Sequence, residues 1–129
     1  MKKYIAINLL LVSILFYNCS NEDDVTTFVP ISINFAYPDG TVILEDDCIN
    51  PAEQFSIAIG VNTFGVGPSI PTKVDYTVNG ALYSTTFTND EIKMIPITLQ
   101  EGTNIAQIVN NGRSSTIHIT TQDDFVLVE

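Results

Sequence analysis

The chain has 129 residues, of which 45% are hydrophobic, and its 15 acidic residues against five lysines and arginines give a formal net charge of −10. This length supports one folded domain with a real core rather than two. A chain this acidic repels phosphate backbones, which argues against nucleic acid as a partner.

The first 18 residues have the features of an export signal. Lys2 and Lys3 form a basic start, and Ile5–Tyr17 is a mostly apolar run that is shorter than the ~20 residues a membrane-spanning helix needs. A buried N-terminal helix or strand is the alternative, but the run has no amphipathic period and both basic residues precede it. We therefore predict that residues 1–18 are a signal peptide.

Cys19 ends this segment and is followed by the acidic tract Ser20–Asp24. Together with Leu15, these residues resemble the start of lipoproteins from Bacteroidetes-type bacteria, although Asn18 stands where that family usually has Gly, Ala or Ser. In that family the cysteine is lipidated and becomes the new N-terminus. The resemblance implies an outer-membrane lipoprotein, attached to the membrane through lipid on Cys19 and exposed at the cell surface, with the periplasmic face as the alternative.

Removing residues 1–19 leaves 110 residues, in which three basic residues against 15 acidic ones give a net charge of −12. We assign residues 19–27 to the lipidated cysteine and a polar, acidic, disordered linker, and residues 28–129 to one folded domain. With Cys19 lipidated, Cys48 is the one remaining thiol, so no intrachain disulfide forms. Cys48 is then either buried or a free thiol.

From Phe28 onward apolar residues recur with a period of two, which is typical of half-buried strands, and no segment shows a helical period. Turn signals separate the strands, notably Pro38-Asp39-Gly40, Asn79-Gly80 and Asn110-Asn111-Gly112. Pro96 indicates an edge or bulge position. The predicted strands are 28–37, 41–44, 55–61, 74–78, 82–87, 92–99, 104–109 and 115–121, with 125–128 as a last strand or a tail.

Two further expectations concern apolar residues near the ends of strands. In the first strand we expect Ile31, Ile33 and Phe35 to share the buried face. The Asn62–Thr72 loop contains Phe64, together with other apolar residues, among glycines and prolines. Such residues either plug the end of the core or form a contact surface, and the plug is the interpretation we favour.

Seven to nine short strands with regular turns predict a β-sandwich or barrel. Parts of the chain also resemble the middle hairpin and the last two strands of bacterial immunoglobulin-like and fibronectin-III-like modules. The matching patterns are Val74-x-Tyr76-x-Val78-Asn79-Gly80, Leu99-x-x-Gly102-x-Asn104-x-Ala106 and Thr116-x-His118-x-Thr120. The resemblance implies an all-β, immunoglobulin-like antiparallel sandwich of about 7–9 strands, a fold that serves as spacer, adhesin or glycan binder.

That topology places the loops 62–72, 88–91 and 110–113 at one pole. There, Phe64, Asn111 and Arg113 are the candidate contact residues for a protein or glycan partner. The opposite pole collects the carboxylates Glu45, Asp46, Asp47, Glu53 and Glu101, with Asp123 and Asp124 nearby. Because no Asp-x-Asp-x-Asp-Gly pattern is present, we interpret them as a solvated acidic face rather than a calcium site, and we expect no cofactor beyond the lipid on Cys19.

The sequence offers little for catalysis. His118 is the single histidine, and its place between Ile117 and Ile119 on a strand directs it away from the buried face. The Gly-x-Ser-x-Gly motif is absent, and one histidine with one thiol is too few ligands for a Cys/His metal site. We predict a non-catalytic interaction module. The alternative is a structural or accessory subunit of an envelope complex, with a small hydrolase disfavoured.

Overall fold

The computed structural model describes residues 24–44, 46–50, 52–122 and 125–128. The predicted signal peptide, Cys19, residues 20–23 of the predicted linker, Glu45, Asp123 and Asp124 lie outside the described residues. The part that is described contains nine strands and no helix. The strands are β1 (Thr27–Ala36), β2 (Cys48–Ile49), β3 (Phe55–Phe64), β4 (Thr72–Val78), β5 (Ala81–Phe87), β6 (Ile92–Ile97), β7 (Gly102–Ile108), β8 (Ser114–Gln122) and β9 (Phe125–Val128).

The strands form two antiparallel sheets that pack face to face. One sheet has the order β1-β3-β6, and the other has the order β2-β9-β8-β7-β4-β5. Without β2 and β9, which extend the larger sheet beyond β8, three strands face four. This is the arrangement of an immunoglobulin-like sandwich, and the predicted fold class is confirmed.

The core lies between the sheets and is built by alternation along each strand. In β4, for example, Val74, Tyr76 and Val78 are buried while the residues between them are partly exposed. β3 differs because it is the centre of a three-stranded sheet, and all residues from Phe55 to Val61 are buried. Other large core side chains are Phe28, Ile33, Phe35, Ile49, Phe87, Ile108, Ile117 and Ile119.

The inner face of β1 differs from the prediction. The pairing of β1 with β3 shifts between Pro30 and Ser32, which places an extra residue in the strand at that point. A bulge of this kind reverses the alternation on one side of it. Ile33 and Phe35 are buried as expected, but Ile31 is exposed, and Phe28 takes a place in the core instead.

The segment between β1 and β3 also differs from the prediction. Residues 41–44 do not form a strand, and only an isolated bridge joins Val42 to Ala36. Instead Cys48 and Ile49, in the predicted polar loop, form β2 and pair with Leu127 and Val126 of β9. Cys48 is an exposed free thiol.

A buried amide joins two turns at one end of the sandwich. The side chain of Asn104, on β7, is fully buried. Its oxygen accepts hydrogen bonds from the Gln100 N–H at 3.0 Å and from Asn79 Nδ2 at 3.1 Å. Its Nδ2 donates to the carbonyl oxygens of Gln100 and Gly102. Asn104 therefore fixes the β4–β5 turn against the β6–β7 turn.

Candidate functional site

The observed strand order places the loops at two poles, as predicted from the sequence. We call the end that carries the loops 65–71, 88–91 and 109–113 the N-terminal pole, because the described chain also enters there at Asp24. The opposite end carries the β1–β3 connection and the 79–80 and 98–101 turns.

The three predicted contact residues lie toward the N-terminal pole, but the structure gives them different environments. Phe64 ends β3 and is 73% exposed. Asn111 donates from Nδ2 to the Pro30 carbonyl oxygen at 3.0 Å and accepts from the Arg113 N–H at 3.0 Å. Among the described residues no hydrogen bond or ring contact joins Phe64 to the other two. The amide of Asn111 holds the β7–β8 turn against β1, a structural role that the sequence did not reveal.

The loop after β3 does not plug the core. Phe64 is largely exposed, Val66 is 88% exposed, and Ile70 is also exposed. The expectation of a core plug is therefore wrong, and the apolar side chains of this loop form part of the surface.

A second surface feature, which we call the side cleft, opens between the two sheets near the opposite pole and is lined by apolar and polar residues. It consists of two adjoining cavities of about 250 Å³ and about 780 Å³, both of which are lined by Phe55 and Ile97. The smaller cavity also contacts Ile49, Leu99 and Ile119. The larger one runs along the side of the sandwich, between Ile95 and Pro96 of β6 and Tyr76, Val78, Ala81 and Tyr83 of β4 and β5.

Two tyrosines form the wall of the side cleft on the larger sheet. Tyr76 and Tyr83 are cross-strand partners whose rings stack with centroids 5.7 Å apart. Tyr76 is buried, and this burial, followed by the nearby Tyr83, raises the pKa of the Tyr76 phenol. Tyr83 is half exposed. Of this pair, therefore, Tyr83 is the ring that a ligand can reach.

The free edge of the larger sheet runs along the side cleft. β5 pairs with β4 through the two-residue Asn79-Gly80 turn, in which both residues have positive φ (50° and 83°), as in a type I′ turn. In such a hairpin Val78 and Ala81 form a hydrogen-bonded pair, and hydrogen-bonded pairs recur at every second residue. The main-chain groups of Leu82, Ser84 and Thr86 therefore point away from β4, to the side where β5 has no neighbouring strand.

Two contacts are consistent with this assignment. The Val109 N–H donates to the Asp75 carbonyl oxygen, and the Asn79 N–H donates to the Ile105 carbonyl oxygen. The main-chain groups of alternate β4 residues therefore point toward β7, and those of the residues between them point toward β5. On the free side, Lys93 Nζ of β6 donates to the Thr86 carbonyl oxygen. Leu82 and Ser84 thus have both main-chain groups on the open edge.

The other edge strands carry devices that discourage strand pairing. β1 contains Pro30 and a bulge, and β2 is two residues long. β6 contains Pro96 and the inward-directed Lys93, whose Nζ lies 5.3 Å from the centroid of the Phe87 ring. β5, with the sequence Ala-Leu-Tyr-Ser-Thr-Thr-Phe, has no proline and no charged residue. Among the described edges, it is the one left open to an added strand.

The residues considered for catalysis and metal binding remain dispersed. His118 is half-buried on β8, between buried Ile117 and Ile119 as predicted, and its Nδ1 lies 3.1 Å from the Thr103 hydroxyl. The acidic residues of the opposite pole lie partly outside the described residues. In the described part, no group of three or more His, Cys, Asp or Glu side chains is placed to hold a metal ion.

Comparison of the chain with protein-family models, with curated proteins and with solved structures gives no match. Within the described residues there is no helix of the length and hydrophobicity required to cross a bilayer.

Proposed function

We propose that this protein is a non-catalytic, lipid-anchored interaction module of the outer membrane, displayed at the cell surface, that binds an extended segment of a partner protein along β5. The observation that carries the proposal is the open β5 edge beside a cleft that has several apolar side chains in its walls. An added strand gains main-chain hydrogen bonds from such an edge and specificity from pockets for its alternate side chains.

The open edge of β5 determines which main-chain groups the ligand must present. Leu82 and Ser84 together present two N–H donors and two carbonyl acceptors, in the spacing that one extended chain satisfies. The Thr86 carbonyl oxygen is already bonded to Lys93. The segment therefore pairs with the part of β5 nearest the Asn79-Gly80 turn.

The side cleft determines which kinds of side chain the ligand must have. A strand added to β5 directs every second side chain toward the inner face of the sheet. There it meets Tyr83 and, across the cleft, Ile95 and Ile97 of β6. The bound segment therefore has apolar residues at alternate positions.

A protein partner fits this surface better than a glycan does. Glycan platforms use exposed aromatic faces. The chain has no tryptophan, and of the stacked tyrosine pair Tyr76 is only 3% exposed. An extended peptide can form hydrogen bonds with the row of main-chain groups on β5.

In-cell photocrosslinking tests the binding surface. A benzoyl-phenylalanine placed at position 83 should crosslink to a partner, whereas the same group at the exposed Ile105, on the outer face of β7, should not. Ser84→Pro removes one outward N–H without touching the β4 ladder and should abolish the crosslink, while Ser84→Ala should retain it. No crosslink at position 83, or one that Ser84→Pro leaves unchanged, would reject the β5 site.

Protease treatment of intact cells tests the location. The wild-type domain should be digested on whole cells, and Cys19→Ala should lose its association with the membrane. Survival of the domain until the envelope is broken would place it on the periplasmic face and favour an accessory role in an envelope complex. An unchanged Cys19→Ala protein would remove the lipid anchor from the proposal.

A further inference from the structure

The N-terminal pole carries an apolar surface of its own, apart from the side cleft. It exposes Phe64 at the end of β3, Val66 and Ile70 in the loop that follows, and Val25 on the incoming chain. These four apolar side chains lie on two segments that contact each other, and exposed apolar surface of this kind is typical of a site that meets a protein or a membrane.

Hydrogen bonds between the incoming chain and this loop hold the loop in place. The Thr26 N–H donates to the Pro68 carbonyl oxygen at 2.9 Å, and the Ile70 N–H donates to the Thr26 carbonyl oxygen at 3.0 Å. The Thr26 hydroxyl also donates to the Gly67 carbonyl oxygen. The contact is so close that a Cβ at Gly67 would overlap the Asp24 carbonyl oxygen. The apolar side chains are therefore presented at the point where the chain enters the domain.

The length of the tether limits how far this pole can lie from the lipid. Asp24 follows Cys19 by five positions in the sequence, a distance of at most roughly 17 Å at about 3.4 Å per residue. The headgroup layer of one leaflet is roughly 5–8 Å thick. The N-terminal pole is therefore held within reach of the membrane surface.

We propose that this loop inserts Phe64 and Val66 into the boundary between lipid headgroups and acyl chains, as a second membrane contact beside the lipid on Cys19. This inference depends on the proposed lipid anchor but not on the β5 site. The contact is apolar rather than electrostatic because the domain is strongly acidic, so it forms on zwitterionic lipid and is insensitive to salt. Its effect is to orient the domain with the N-terminal pole toward the bilayer.

The test uses the full lipoprotein, with Cys48→Ser to remove the exposed thiol, in protein-free phosphatidylcholine vesicles. An environment-sensitive dye is attached at Val66→Cys or, as a matched control, at Leu82→Cys, which is similarly exposed on β5 near the opposite pole. The dye at position 66 should shift its emission to the blue and be quenched by lipids brominated on their acyl chains. The dye at position 82 should do neither, and 0.5 M salt should not reverse the shift at position 66.

Two other outcomes would overturn the inference in distinguishable ways. If the protein floats with the vesicles but the dyes at positions 66 and 82 behave alike, the anchor stands and the loop contact is wrong. If the protein does not float with the vesicles, the anchor is wrong and the loop contact fails with it. A blue shift that appears in native envelopes but not in protein-free vesicles would assign the loop to a protein partner and reject the lipid contact.

Discussion

Replacing Asn104 with alanine tests whether one buried amide stabilises the end of the sandwich that frames the side cleft. The amide is fully buried and makes four hydrogen bonds, two of them to the main chain of Gln100. The other two join it to the Asn79 side chain and to the Gly102 carbonyl oxygen. Alanine removes all four and leaves a small cavity beside the main-chain groups of Gln100.

The expected cost follows from the geometry of these bonds. A hydrogen bond of ordinary geometry contributes about 0.5–1.5 kcal/mol net. The bond to Gly102 is long, at 3.3 Å. Asn79 is exposed, so its Nδ2 can bond to water while its Oδ1 still accepts from the Ile105 N–H. We therefore expect Asn104→Ala to lower the free energy of unfolding by about 2 kcal/mol, out of a total of about 5–15 kcal/mol for a domain. The corresponding fall in Tm is roughly 8–16 °C.

Urea unfolding followed by far-UV circular dichroism measures this loss, since the chain has no tryptophan. Gln107→Ala, at an exposed position on the same strand, is the matched control and should change stability by no more than about 0.5 kcal/mol. If Asn104→Ala lost less than about 1 kcal/mol with an unchanged m-value, the amide would not be what fixes the two turns, and the reasoning would fail.

Two further predictions concern the loop and the tyrosines. Gly67→Ala should push the loop away from Asp24, because the new methyl group overlaps the Asp24 carbonyl oxygen. Hydrogen exchange should then show loss of protection at the Thr26 amide, and unchanged protection there would contradict the proposed fastening. Burial raises the pKa of Tyr37 and Tyr76, with nearby carboxylates adding to the shift at Tyr37. The folded chain therefore holds these protons more tightly than the unfolded chain. The resulting stability is fully present below pH 10 and is lost as pH rises through the folded-state pKa values, at no more than about 1.4 kcal/mol per pH unit for Tyr76. Urea midpoints at pH 8.5 and 10.5 should show this fall, and Tyr76→Phe should reduce it.

Most of the strands could be predicted because the signals that define them are local. In a sheet with one buried face the side chains alternate, and β4, β7 and β8 show that alternation in the sequence itself. The Asn79-Gly80 turn is equally local, since positive φ at two successive positions favours these residue types. The fold class follows from the number and spacing of such strands.

The errors arise where a long-range contact decides the local structure. β2 exists because Cys48 and Ile49 pair with β9, almost 80 residues away along the chain. The buried Ile49 within a polar segment was the one local signal for it. The bulge in β1 likewise depends on the register with β3 and changes which side chains face inward.

The candidate site was harder to predict than the fold because it depends on the order of the strands. Tyr83 and Ile95 line one cleft only because β5 and β6 are edges of different sheets on the same side of the sandwich. Periodicity does not reveal which strand is an edge. The composition of β5, which lacks proline and charge, was the available signal, but the same composition also suits a central strand.

The proposed lipid anchor and the position of the cleft together constrain how a partner would reach this protein. β3 runs from Phe55, which lines the side cleft, to Phe64 at the N-terminal pole, over 10 residues. At about 3.4 Å per residue that is a distance of roughly 30 Å. With the N-terminal pole on the bilayer, the Phe55 end of the side cleft stands about that far above the lipid. A partner anchored in the same membrane would need about ten extended residues to cover this height, whereas a partner arriving from outside meets the cleft directly.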